Sequence, residues 1–156
     1  TEFGQGLEWN SAGVLDWYVL QFPLHRGMQL LVQDLNHLYR NSAALYTSEF
    51  EWQGFDWIDC HDSHQSILSF VRKVQDDFLV VIVNFTPVPR TEYRIGVPRG
   101  GAYREVLNSD SYLYGGSNMG NGGEELWAED MPWMDRPYSI KVTVPPLAGI
   151  VFKPQG

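Results

Sequence analysis

After Leu45 the chain changes character, and that change limits its fold more than any other feature. Short runs rich in β-branched and aromatic residues follow one another: GFDWIDC, SILSFVRKV, LVVIVNFT, YRIGVP, YREVLNSD, SIKVTV and LAGIVFKP. Turn-forming clusters divide them: HDSHQ, QDD, PVP, Arg99-Gly100-Gly101 and Pro145-Pro146. This is the signature of strands and turns. About seven short strands with no helix between them argue for an antiparallel β-sandwich. SIKVTV alternates, with Ile140, Val142 and Val144 on one face. Residues 79–83 are continuously apolar, so their strand is expected to be buried on both faces. The expected core is Leu68, Phe70, residues 79–83, Ile140, Val142 and Ile150.

The first 43 residues do not share this pattern. TEFGQGLEWN carries two carboxylates, a Trp, an amide and two glycines, with neither a helical nor a strand period. Such stretches are usually binding or catalytic loops laid on a rigid scaffold. LDWYVLQFP is a short apolar turn or helix that Pro23 is expected to end. In GMQLLVQDLNHLYRN, Met28, Leu31, Leu35 and Leu38 recur at spacings of three and four, and Arg40 and Asn41 supply a stop. This predicts an amphipathic helix of about 13 residues. One helix of that length is marginal in water, so its stripe needs a partner surface. The chain divides accordingly into residues 1–43 and an all-β unit, 44–156.

A chain of 156 residues, 44% hydrophobic and 19% charged, suits a globular domain with a real core. Aromatics reach 14%, which suits both strand packing and sugar-stacking platforms. The net charge of −8 and the lack of a Lys/Arg cluster exclude nucleic acid and anionic membrane as expected partners. Cys60 is the single cysteine, which suits a reducing, cytoplasmic compartment.

Individual motifs carry little chemistry. Cys60, His61, Asp62 and His64 crowd four metal-type ligands into five residues of an apparent hairpin turn, a spacing that strains tetrahedral geometry. A solvated turn is the better reading, and no metal or cofactor is expected. GGSNMGNGG lacks the Gly-Lys-Ser/Thr of a phosphate loop and reads as a floppy or irregular surface loop. There is no Gly-x-Ser-x-Gly elbow. Glycoside chemistry needs two carboxylates about 5 to 10 Å apart across a cleft. Glu2, Glu8 and Asp16 lie in a loop of suitable character but have no barrel around them.

Longer strings are more specific. EFGQ, EWN and LDW are followed by HRGMQLLVQDLNHLYR, GFDWIDC, SILSF, NFTPVPR, YRIGVP, REVLNSD, YGGSNMGN and VPPLAGIVF. In this order they closely resemble the C-terminal end of bacterial 1,4-α-glucan (glycogen) branching enzymes of the α-amylase superfamily, glycoside hydrolase family 13. The resemblance runs over essentially the whole chain. It implies a (β/α)₈ catalytic barrel upstream and an all-β C-terminal domain here. TEFGQGLEWN then resembles the end of the eighth barrel strand and the loop after it, and the helix at 27–41 resembles the last barrel helix. A whole barrel needs about 250 residues, so this stretch holds only its last unit. The family transfers an α-1,4-glucan segment to a 6-hydroxyl with retention. Its three catalytic carboxylates lie upstream of the EFGQ string, so no catalytic residue is expected in this chain. Glu2, Gln5, Trp9 and Asn10 are expected at the rim of the active-site face, as substrate contacts or as bracing. Several relatives carry an aromatic just before the His-x-Gly that opens this helix; here Leu24 stands nearby, which removes one possible glucan contact.

Two readings follow. In the first, the chain is part of a branching enzyme acting on glycogen or amylose, inactive alone, with its β-domain packed on the barrel. In the second it is a free-standing carbohydrate-binding module that uses Trp52, Trp127 or Trp133. The unpartnered amphipathic helix favours the first, and a pure protein-interaction domain is a third class that composition leaves open. A chain starting at Ala44 is expected to keep a cooperative melt. Limited proteolysis should trim the N-terminal segment first and leave about 110 residues, a normal domain size. Loss of that melt on truncation places the helix within the core.

Overall fold

Pro23 starts a helix instead of ending one. The computed structural model describes residues 2–8 and 10–156. In it a 3-10 helix, Trp17–Gln21, runs into helix α1, Pro23–Asn41. Phe22 is extended, and Pro23 occupies the first turn. There its missing N–H is an orphan in any case and its fixed φ already suits the helix. The sequence reading therefore placed the start four residues late. At the other end Arg40 lies in the last turn, where a cation suits the helix dipole, and the Asn41 side chain donates to the His37 carbonyl. A short helix α2, Ala43–Tyr46, follows.

The rest is β structure. The strands are β1 (Phe55–Asp59), β2 (Ile67–Val74), β3 (Asp77–Asn84), β4 (Arg90–Val97), β5 (Ala102–Asn108), β6 (Glu125–Trp127), β7 (Tyr138–Val144) and β8 (Gly149–Pro154). Among the described residues they form a six-stranded sheet, β1-β2-β3-β8-β5-β6, and a two-stranded sheet, β4-β7, with every pairing antiparallel. The sandwich expected from the turn spacing is thus present. Strand β6 went unread, because three residues carry no countable period.

The main core lies between the two sheets. Val80 and Ile82 of β3 meet Ile95 and Val97 of β4, Ile140, Val142 and Val144 of β7, and Ile150 and Phe152 of β8. The alternation read in SIKVTV is the observed inward face. Strand β2 is out of phase with the expectation. Ile67, Ser69 and Val71 point inward, whereas Leu68 and Phe70 are half-buried on the outer face. The run carries apolar residues on both faces, so composition leaves its register open, and a one-residue slip reverses every side chain. Phe70 instead stacks on Phe55, with centroids 5.2 Å apart.

A second, smaller core sits on the outer face of the large sheet. Leu79, Leu107 and Val151 pack there with Leu38 of α1 and Leu45 next to α2's end. Arg72 anchors the same seam by donating to the carbonyls of Leu45 (2.8 Å) and Gly54 (3.2 Å). Strand β3 is buried on both sides for this reason, as its unbroken apolar run predicted. No helix among the described residues is long and apolar enough to cross a membrane.

Tyr103 closes the core near its edge. It is fully buried, and its hydroxyl donates to the Arg99 carbonyl at 2.6 Å. Burial pushes this hydroxyl up from the ordinary 10.0 to about 12, against a smaller opposing pull from the Arg99 charge. The folded state favours the protonated form, so the stabilisation is complete below pH 10 and is lost as pH rises towards about 12. The melting temperature is expected to fall over that window, and less steeply in Tyr103→Phe. Equal slopes in a pH series of thermal melts would remove Tyr103 as the cause.

Candidate functional site

The N-terminal loop is tied down by one aromatic residue. Phe3 is buried and stacks on Trp17, with centroids 5.2 Å apart and planes 24° apart. From helix α1, His25 Nδ1 donates to the Phe3 carbonyl at 2.9 Å. These contacts fix the backbone from which the expected site residues project.

The site residues themselves are dispersed. Glu2 is exposed and borders a shallow groove of about 280 Å³ along α1, beside Gln29, Gln33 and Arg40. Gln5 is half-buried; its Oε1 accepts from the Asp16 amide at 3.3 Å and its Nε2 donates to the Leu7 carbonyl at 3.4 Å. Asn10 accepts from the Ala12 amide at 3.0 Å, an Asx-type turn. Trp9 lies outside the described residues. Gln5 and Asn10 therefore brace the loop, and Glu2 is the exposed carboxylate of the set. This exposed loop surface can hydrogen-bond a polar ligand, but its hydrogen bonds are aimed inward at its own backbone.

What holds α1 against the β-sandwich went unread in the sequence. After β5 the chain makes a 3-10 turn, Tyr112–Tyr114, capped by Gly115 with φ +88°. The Tyr114 hydroxyl donates to Asp34 of α1 at 2.6 Å. Burial and that carboxylate together push the hydroxyl's pKa well up. Helix and turn approach so closely at Gly27 that a Cβ there would lie 2.4 Å from the Tyr114 carbonyl oxygen. Gly27, Asp34 and Leu38 are spaced at seven and four residues and define the docked face. Of the predicted stripe, Leu38 docks, while Met28 and Leu35 are each 43% exposed on a neighbouring face. The signal was present in Gly27 and Asp34, but an apolar period count passes over both.

GGSNMGNGG is irregular but not floppy. Buried Asp110 accepts from the Ser117 amide at 2.9 Å, the Ser117 hydroxyl and the Met119 amide at 3.1 Å. Asn121 donates to Glu105 at 2.7 Å and exchanges hydrogen bonds with the Thr143 backbone at 2.8 and 3.0 Å. Buried carboxylates that gather amides in this way order a loop. Through Asn121 the loop is tied to β5 and β7, and through Asp110 to the start of the Tyr112–Tyr114 turn. The turn with Cys60, His61, Asp62 and His64 is open, with Cys60 and His61 exposed. No group of three or more metal-type ligands forms among the described residues.

Comparison with known proteins gives a consistent picture. Residues 57–155 match the family model described as the alpha amylase C-terminal all-beta domain. The chain is 58% identical over 152 residues to the 1,4-alpha-glucan branching enzyme GlgB of Nitrosococcus oceani, covering 97% of this chain and 20% of that protein. It is 57% identical over 155 residues to the enzyme of the same name from Thiobacillus denitrificans, covering 98% and 21%. It thus spans about a fifth of the length of these relatives. Among solved structures, the alpha-amylase from H. orenii is similar over 94% of this chain and 25% of its own, at TM-score 0.52 and 17% identity, which shows a common fold.

Gly27→Ala separates intrinsic from tertiary effects. Within an exposed helix the change stabilises by about 1 kcal/mol. Here the new methyl meets a backbone carbonyl, so a net loss is expected, with faster amide exchange over residues 3–41 and unchanged protection in β3 and β8. Tyr114→Phe, which leaves Asp34 without its donor, should cost about 1 to 2 kcal/mol. A stabilised Gly27→Ala in urea titrations would mean the contact yields freely.

Proposed function

This chain belongs to the family of the alpha amylase C-terminal all-beta domain, and we propose that it is the C-terminal part of a 1,4-alpha-glucan branching enzyme. The observation that carries the reading is identity of 58% across nearly the whole chain to a protein of that name. In this reading the parent enzyme cuts an α-1,4 bond and passes the freed segment to a 6-hydroxyl. The nucleophilic and acid carboxylates reside in its catalytic barrel, outside these residues. The substrate is an α-glucan such as glycogen or amylose, and the setting is the cytoplasm.

The contribution of this chain is mechanical. Helix α1 is the barrel's last helix, and the loop at 2–8 follows its last strand. The sandwich grips α1 through Tyr114, Asp34 and Leu38. Helix α1 in turn grips the loop through His25 and the Phe3 carbonyl. The exposed Leu24, Met28 and Leu35 supply apolar surface for the barrel wall. Glu2, Gln5 and Asn10 stand at the rim of the active-site face, with Gln5 and Asn10 shaping the loop and Glu2 exposed to meet substrate. The free-standing binding module is the weaker reading, because it leaves that apolar face without a purpose.

The test is a chimera. The matching C-terminal fifth of the Nitrosococcus oceani enzyme is replaced with this chain, and amylose is followed by iodine absorbance and debranched chain-length analysis. Branching at a rate within about tenfold of the parent, a barrier change of roughly 1.4 kcal/mol, is expected. The free 156-residue chain should show no turnover. A monodisperse chimera with a cooperative melt but no branching would overturn the assignment, as would turnover by the free chain.

A further inference from the structure

A groove of about 790 Å³ lies between the β1–β2 turn, the first half of β4 and the segment around Trp133. None of the contacts described above uses it. Its groups are unusually well fixed. Asp62 is held at both oxygens: Oδ1 accepts from the Gln65 amide at 3.1 Å, and Oδ2 accepts from Gln65 Nε2 at 2.9 Å and the Tyr93 hydroxyl at 3.0 Å. Trp133 is 46% exposed, yet its backbone is locked by a reciprocal pair with Arg136, each bond 3.0 Å. Arg90 is delivered by the NFTPVPR segment. Buried Asn84 shapes that segment by donating to the Val88 and Pro145 carbonyls, both at 2.9 Å, and accepting from Thr86.

Arg90 is the group without an evident purpose. Half-buried Arg90 lines the groove and makes no ion pair or side-chain hydrogen bond among the described residues. Other charged groups of the groove are committed: Asp59 accepts from the His61 amide at 2.8 Å. Arg94 pairs with Glu129 at 2.8 Å and donates to Ser139 at 2.7 Å, and Glu92 pairs with Lys141 at 2.9 Å. Half-buried polar groups that find no partner within the fold call for one from outside.

The chemistry of that partner can be narrowed. Carboxylates and guanidinium groups face the same groove and mostly neutralise one another, so it favours neither an anion nor a cation. The chain's net charge of −8 weighs further against an anion. A part-exposed indole offers a flat apolar face, and beside it stand a fixed acceptor, Asp62, and an uncommitted donor, Arg90. An apolar platform ringed by convergent hydrogen-bonding groups matches a neutral, polyhydroxylated ring.

We propose that this groove binds a segment of α-glucan chain, with Trp133 stacking on a glucose ring and Asp62 and Arg90 hydrogen-bonding its hydroxyls. The choice of an α-linked glucan rests on the branching-enzyme reading; the fit to a neutral sugar rests on the groove alone. The groove works as a holding site that keeps polymer near the enzyme. Its binding is weak, because one stacked ring and a few exposed hydrogen bonds must offset the entropy of association.

The experiment is a titration of the isotopically labelled 156-residue chain with maltoheptaose, read by amide shifts. Saturable shifts are expected at residues 61–65, 90–94 and 133–136, with half-saturation at roughly 1 mM. Trp133→Ala should raise that concentration at least about fivefold, as loss of one stacking contact requires. Trp127→Ala, on the exposed strand β6, is the control and should leave it within about twofold. Should Trp133→Ala lose its cooperative melt, Arg90→Gln supplies the same comparison without removing the indole. Absence of groove shifts up to about 20 mM, a concentration that saturates a millimolar site, overturns the proposal. So do shifts that map elsewhere, or equal losses in Trp133→Ala and Trp127→Ala. Cellohexaose, the β-linked control, should produce less than half the shift; equal shifts overturn the α-glucan choice. The chimera assay reports separately: a branching chimera with a silent groove refutes only this site, and a maltoheptaose-selective groove in an inactive chimera refutes only the branching assignment.

Discussion

Strand β3 has to be buried on both faces, and most of the architecture follows from that one constraint. Val80 and Ile82 point into the sandwich, while Leu79 points to the opposite side of the sheet. A two-layer sandwich covers only the first set. The second set, with Leu107 and Val151, needs a third layer, which α1 and α2 provide through Leu38 and Leu45. Burying each such side chain stabilises by about 2 kcal/mol, a large fraction of a domain's net stability. The helical segment is therefore structurally continuous with the sandwich across this seam. Leu38 of α1 is part of the cover over Leu79, Leu107 and Val151.

Polar contacts then set where the third layer sits. An apolar seam is non-directional and tolerates sliding. The hydrogen bond from Tyr114 to Asp34 and the close approach at Gly27 are directional and give α1 one position. Their precision depends on the loop at 115–123, which the buried carboxylate of Asp110 organises. A continuous mechanical path joins that loop to the turn at Tyr112–Tyr114, then to α1, His25 and the backbone of Phe3. This path gives the β-sheets a hold on the backbone of the N-terminal loop. Residue type alone gives little hint of such a role, since the glycines and asparagines involved are the ordinary vocabulary of loops.

The two polar regions differ in how far their groups are already committed. In the N-terminal loop, Gln5 and Asn10 spend their hydrogen bonds on neighbouring backbone. At the groove beside Trp133, Asp62 is fully oriented but still faces open space, and the Arg90 side chain makes no ion pair or hydrogen bond among the described residues. Preoriented groups lose little freedom on binding, which is how a shallow site holds a flexible polymer.

The sequence by itself determined the class of the fold, because strand runs, turn clusters and the apolar stretch at 79–83 are local signals that local chemistry obeys. Seven strands, the amphipathic helix and the double burial of β3 were all legible from side-chain periodicity and turn residues. The resemblance carried by NFTPVPR, YGGSN and VPPLAG was legible as well, and with it the family. Tertiary structure alone decided the register of β2, where apolar residues on both faces made either phase acceptable until the helices covered the outer one. It also decided the start of α1, where Pro23 suits a helix's first turn as well as its end. It alone placed Gly27 against Tyr114, and it assembled Asp62, Arg90 and Trp133 from three separate segments. A period of two or of 3.6 residues records which face is apolar; it holds no information on which distant segment that face will meet.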